Sequence, residues 1–351
     1  MSEAGEHNPP RLGASMLSRL RSMPPWMGAL IALFLLMAIT GVFEPAFLRP
    51  TNLTNIVNQQ SVVGVIAVGM TLVIILGGID LSVGSLLALA GGAGILALNA
   101  RFDPQSAEWS AIGIAIVVTL AVGLAAGLLN GVLIAKGGIA PFIATLGGLV
   151  AYRSAATWIA NGGQFFVEGS RSFRELGRGI PIPGTNIAPA DADVKPYVLP
   201  YSILVFIGIA LLGSILLNRT RYGRYVYAIG CSERAAIYSA VPVARIKIMT
   251  YALIGLATGL AAVLNATRYN SVNSANAGLL MELEAIAAVV IGGTRMQGGA
   301  GGILGTVIGV ILLGVIRNVQ VMLGFESHAS GVVMGVIIIA AVLFQRLGRR
   351  E

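Results

Sequence analysis

The chain has 351 residues, 56% of them hydrophobic and only 11% charged, with 46 glycines, a mean hydropathy of +0.84 and a formal net charge of +8. This usage is far from that of a soluble globular domain, and because the basic residues gather at the edges of apolar runs, the positive balance speaks for membrane topology and against nucleic acid as a partner. A single cysteine, Cys231, excludes an intrachain disulfide, and with only two histidines, His7 and His328, there is almost no material for a metal site.

In chain order, residues 1–26 form a polar tail made basic near the membrane by Arg19 and Arg21, which predicts a cytoplasmic N-terminus. Residues 27–43 are the first apolar run, and with no small-residue cleavage site close behind it they read as a retained anchor. A short outer loop, 44–52, leads to a second span at 53–76. Its opening is polar, with Asn55, Asn58 and Gln59 at i, i+3 and i+4 on one helical face. The break Gly77-Gly78-Ile79-Asp80-Leu81-Ser82-Val83-Gly84 follows, then an apolar stretch at 86–98, a polar loop at 101–108 and a fourth span at 110–134. A tight Gly/Pro turn at 136–141 opens a fifth span, 142–160, interrupted by Arg153.

The longest polar connection, 161–200, balances Arg171, Arg174, Arg178 and Lys195 against Glu168, Glu175, Asp191 and Asp193, which fits the outer face. Spans at 201–217 and 248–267 flank a basic loop, 218–247. An outer segment, 268–284, and a short apolar run, 285–291, end in Gly292-Gly293-Thr294-Arg295. Spans at 303–321 and 331–343 complete the set, and Arg346, Arg349 and Arg350 keep the tail 347–351 inside. The expectation is an all-α membrane protein whose transmembrane domain runs over 27–346 as about ten transmembrane helices, at roughly twenty residues per span. Both termini are then cytoplasmic. The two Gly-rich breaks resemble each other locally, and they read either as full loops or as re-entrant turns.

The basic loop carries Arg219, Arg221, Arg224, Arg234, Arg245 and Lys247 against one acid, Glu233. Ser232 is placed to cap a short helix with Glu233 in its first turn; Ala235 and Ala236 favour helix, and Pro242 stops it. Such an element, held outside the membrane between two spans, is suited to touch a partner; the plain alternative is an ordinary connecting loop. No Gly-Lys pair occurs, so a phosphate-cradling ATPase loop is absent, and neither H-E-x-x-H nor G-x-S-x-G is present. The chain reads as a non-enzyme that binds no cofactor, driven, if at all, by another subunit. The spacings Gly123–Gly127–Gly131, Gly255–Gly259, Gly305–Gly309 and Gly331–Gly335 read as helix-packing faces.

Four ordered blocks carry a family resemblance: GMTLVIILGGIDLSVGSLLAL (69–89), NGVLIAKGGIAPFIATLG (130–147), RTRYGRYVYAIGCSERAAIYSAV (219–241) and ELEAIAAVVIGGTRMQGGAGGILGT (282–306). They resemble the permeases of bacterial ABC importers for monosaccharides, of the ribose, xylose and galactose type, from about residue 52 onward. Cys231 stands where that family often has Asn, and Ala240 where Gly is usual.

The resemblance implies an inner-membrane permease working as a pair of copies with cytoplasmic ATP-binding subunits and a periplasmic sugar-binding protein. Its fold would be similar to the ten-helix permeases of vitamin B12-type importers. On that footing Gly223, Gly230, Ser232, Glu233, Ala235, Ala236 and Ser239 are the candidate ATPase-coupling residues, with the small alanines allowing close packing. Asn55, Asn58, Gln59 and Asn130 are candidates for the translocation pathway, since amides both donate to and accept from sugar hydroxyls; capping and interhelical hydrogen bonding explain them equally well. Gly77, Gly78, Asp80, Gly292 and Gly293 are assigned to helix breaks and caps, and Arg153 and Arg295 to helix ends. The outer segment 179–184 is either a docking turn for the binding protein or a plain loop. A permease for nucleosides or branched-chain amino acids is the alternative, and an ion-coupled transporter would require acid or His relays inside the spans.

Overall fold

The computed structural model describes residues 24–102, 108–186, 196–324, 331–332 and 335–336. Among these are twelve α-helices: α1 (Met27–Phe43), α2 (Pro50–Ile75), α3 (Val83–Arg101), α4 (Glu108–Ala135), α5 (Pro141–Ile159), α6 (Arg171–Leu176), α7 (Tyr201–Arg219), α8 (Arg221–Cys231), α9 (Glu233–Tyr238), α10 (Val243–Tyr269), α11 (Met281–Ile291) and α12 (Ile303–Met322). Six of them, α2, α3, α4, α7, α10 and α12, are long and apolar enough to cross a membrane. The expected tail 1–26 lies largely outside the described residues. The expected loop at 101–108, the span at 331–343 and the tail 347–351 lie mostly or wholly outside them.

Helix α2 is the axis of the bundle. It opens on Pro50, whose missing N–H costs nothing in a first turn, and from Gln60 to Ile75 every residue is buried. Helices α7, α10 and α12 pack around it. Two of the glycine spacings predicted as packing faces meet each other. A β-carbon on Gly127 would overlap the Tyr251 carbonyl and stand 3.0 Å from the Gly255 Cα, so α4 and α10 touch backbone to backbone. Gly305 and Gly309 bring α12 equally close to Gly292 and Ala288. Around Gly331 and Gly335 no described residue lies within 4 Å of such a β-carbon. At the other end of α2, the Asn52 and Asn318 amides bond reciprocally at 3.1 and 2.9 Å, tying α2 to α12. Asn52→Leu is expected to lower stability by about 1–2 kcal/mol, because Asn318 is left half-buried without its partner; detergent-phase thermal melts of the unmodified chain and the variant check it.

Several expectations need correction. Helix α5 runs through Arg153 without interruption, so Arg153 marks no helix end. Its guanidinium donates to the Ser274 and Ala277 carbonyls at 3.0 and 2.8 Å, satisfying backbone that would otherwise be orphaned. Arg295 does lie outside a helix, in the break after α11. The connection after α5 is built: β1 (Gln164–Phe166) pairs antiparallel with β4 (Ser271–Asn273), and β2 (Ile180–Asn186) with β3 (Pro196–Leu199). The expected turn at 179–184 lies largely in β2. Glu108, at the start of α4, accepts from the Ser172 N–H and hydroxyl at 3.0 and 2.7 Å and so anchors α6.

The expected outer segment 268–284 turns back into the bundle after β4. Gly278, at φ +72°, packs against Gly84 near the start of α3, and α11 then begins at Met281. Glu282 and Glu284 therefore belong to a helix of eleven residues, about 16 Å long at 1.5 Å per residue and half the roughly 30 Å of a bilayer core. Glu284 pairs with Arg317 of α12.

Candidate functional site

The two glycine breaks share one geometry. At the end of α2, Gly77 adopts φ +90° and donates to the Ile74 carbonyl, while Gly78 donates to Val73, each at 2.9 Å. At the end of α11, Gly293 adopts φ +93° and donates to Val290 at 2.9 Å, while Thr294 donates to Val289 at 3.1 Å. Both are Schellman endings, in which a residue of positive φ folds the chain back onto the last carbonyls of its helix. Gly77 thus corresponds to Gly293; Gly78 and Gly292 hold different places, the first a donor after the turn and the second the cap itself.

Asp80 is not the N-cap of α3. Ser82 holds that position, and the Asp80 carboxylate accepts from the Ser82 N–H at 2.8 Å and its hydroxyl at 2.6 Å, an Asx turn one step earlier. The Ser82 hydroxyl accepts from the Asn130 amide at 3.0 Å, and Asn130 accepts from the Tyr152 hydroxyl at 3.2 Å. Asp80, Ser82 and Asn130 are buried. Asn130 is therefore a link between the break, α4 and α5, and the structure does not bring it to Asn55, Asn58 and Gln59. Those three do share a face of α2: Asn55 and Gln59 are exposed, and Asn58 is half-buried, accepting from Ser202 on its side chain and from Arg268 on its carbonyl.

The basic loop holds two helices where one was expected, and Arg245 and Lys247 already belong to α10. Helix α8 is amphipathic: Tyr222, Val226 and Ile229, at i, i+4 and i+7, are buried with Gly223, while Arg221 and Arg224 are exposed. Thr220 caps it by accepting from the Gly223 N–H at 3.3 Å, and a side chain at Gly223 would overlap the Leu217 carbonyl at the α7–α8 corner. Burial pushes the Tyr222 hydroxyl up to about 12, so it stays a neutral partner of Thr250 at 2.8 Å.

The far end of α8 lies against the end of α2 and the second break, which are bonded to each other. Gly299 donates to the Ile75 carbonyl, the last of α2, at 2.9 Å, and the Tyr227 hydroxyl donates to Gly301 at 2.8 Å. Gly230 sits between them, with no room for a β-carbon against Ile75 and Gly299.

Helix α9 is capped as expected, the Ser232 hydroxyl accepting from the Ala235 N–H at 3.3 Å. Glu233 pairs with Lys247 at 2.7 Å, joining α9 to α10. Ser239 ends the helix, its N–H donating to Ala235 at 3.0 Å. Ala235 is exposed, but Ala236 is buried within the chain, so its small size serves the chain's own packing. What α9 offers outward is Ile237, 57% exposed, and Tyr238, 91% exposed. Sequence reading passed over both, although two consecutive residues following an inward-facing position on a helix must point away from the core.

Residues 52–342 match the family described as branched-chain amino acid transport system / permease component, and the chain belongs to this family of transport permeases. More particularly, it is similar to the ribose import permease protein RbsC of Bacillus subtilis (strain 168), at 41% identity over 325 residues, 91% of this chain and 92% of that one. The protein of the same name from Escherichia coli (strain K12) is 39% identical over 320 residues, 90% of this chain and 92% of that one. The autoinducer 2 import system permease protein LsrD of Photorhabdus laumondii is 31% identical over 319 residues, 91% and 90% of the two chains. These relatives bear out the resemblance carried by the four sequence blocks.

Proposed function

We propose that this chain is the membrane-spanning subunit of an ABC importer that passes a monosaccharide or related polyol, delivered by a periplasmic binding protein, into the cell. Its similarity to ribose import permeases over nine-tenths of both chains carries this reading. Hydrolysis belongs to a separate ATPase subunit, and this chain binds no cofactor. Two permease copies enclose the passage in the inner membrane, each with about ten helices arranged as in vitamin B12-type importers and with both termini cytoplasmic. Loop 161–200 faces the periplasm, and loop 218–247 faces the ATPase. Asn55, Asn58 and Gln59 line the outer approach to the passage.

Coupling runs through α9. Ile237 and Tyr238 seat in the ATPase, Ser232 and Glu233 hold the helix in shape, and α8 hands its displacement to α2 and the second break. Tyr238→Ala with Ile237→Asp is expected to reduce the ATPase stimulation caused by loaded binding protein at least tenfold while leaving the permease folded, since both side chains are exposed. Unchanged stimulation in the reconstituted importer sinks the assignment. The family description favours a second reading, a branched-chain amino acid permease; calorimetry of the cognate binding protein against sugars and amino acids separates the two.

A further inference from the structure

An apolar cavity of about 430 Å³ lies between α2, α7 and α10, with Leu120 of α4 also in its lining. Its origin is geometric. Helices α7 and α10 each pack on α2 but barely touch one another. The gap leaves a groove floored by Val68, Gly69 and Leu72, with α7 residues 209–216 and α10 residues 253–260 as walls. Leu212 on its rim is 63% exposed, and Leu211 and Ile215 continue an apolar outer surface.

The groove has a charged end. Leu212, Leu216 and Arg219 stand at i, i+4 and i+7, so the lining stripe of α7 runs into an arginine one turn beyond the cavity. Arg221 and Arg224 follow on the exposed face of the amphipathic α8. Among the described residues none of these three arginines has a carboxylate partner; the ion pairs there are Lys247–Glu233 and Arg317–Glu284.

An apolar slot that ends in unpaired guanidinium groups matches one kind of molecule, an acyl chain carrying a phosphate. We propose that this groove is a binding site for an anionic phospholipid of the bilayer leaflet on the arginine side, with one acyl chain between α7 and α10 and the phosphate on Arg219 and Arg221. A second copy of this chain is the less suitable occupant. A two-fold contact here would set one arginine cluster against its equivalent, whereas an anionic headgroup neutralises it. The lipid would brace α7 against α10 immediately beside the α8–α9 element.

The test uses the assembled transporter in nanodiscs of phosphatidylethanolamine doped with phosphatidylglycerol or phosphatidylcholine, each bearing a diazirine within one acyl chain. After irradiation, peptide mapping is expected to find the phosphatidylglycerol probe on 209–216 and 253–260 about tenfold above the phosphatidylcholine probe, and well above the exposed apolar face of α1. Leu212→Trp, which narrows the rim without entering the core, is expected to remove this label. Arg219→Gln with Arg221→Gln is expected to keep the label but bring the two headgroups to parity. Equal labelling of the groove and α1, no headgroup preference in the unmodified chain, or cross-links joining α7 of two copies would each overturn the proposal. None of these readouts depends on the transported substrate.

Discussion

Gly230→Ala is expected to abolish transport, although alanine is the smallest possible change and the better helix former. The obstacle is the β-carbon itself. At that position it would overlap the Ile75 carbonyl and stand 2.5 Å from the Gly299 nitrogen, with backbone on both sides and no flexible side chain to move aside. The Gly299–Ile75 hydrogen bond, 2.9 Å long, must open, and α8 separates from both breaks at once. Overpacking together with the lost bond costs about 3 kcal/mol, roughly a hundredfold in the equilibrium that keeps the junction closed. The measurement is uptake by proteoliposomes containing the full importer, with binding-protein-stimulated ATPase activity alongside. Gly208→Ala serves as the control, because nothing lies within 4 Å of a β-carbon there. If Gly230→Ala transports as well as Gly208→Ala, the junction does not transmit the stroke.

The second large effect concerns Asp80. Removing its carboxylate with Asp80→Ala deprives the Ser82 N–H and hydroxyl of their acceptor, and the disturbance passes to Asn130 and Tyr152. Leaving buried donors without their acceptor costs about 1–3 kcal/mol, so a clear drop in melting temperature and a loss of uptake are expected. Asp80→Asn keeps an acceptor oxygen in the same place and is expected to recover most of both. Should the asparagine variant fail as badly as alanine, the charge itself is needed, and the carboxylate does more than shape the break.

Much of the bundle was legible in the sequence because long apolar runs and glycine spacings are direct records of lipid and of close packing. Ser232 was legible as a cap for the same reason: its chemistry is local. Helix α8 was hidden because its arginines dominated the reading, although Tyr222, Val226 and Ile229 carry a helical repeat. Ala236 was legible only by half, because composition says that a small residue packs closely, but not against what. Asn130 was ambiguous on its own helix; only the approach of Ser82 and Tyr152 from two other elements decides it. Glu282 and Glu284 were placed outside because a polar stretch precedes them, and no local signal shows that Gly278 folds back onto Gly84.

That return carries an implication for what surrounds the chain. Between β4 and α11 the backbone is neither helix nor closed strand, and Ala275, Asn276, Leu279 and Leu280 are uncovered. Hydrocarbon offers peptide groups no donor or acceptor, so irregular main chain persists at membrane depth only beside protein or water. Set at membrane depth, such a flank is one that oil does not wet, and it turns toward a neighbouring subunit or a hydrated lumen.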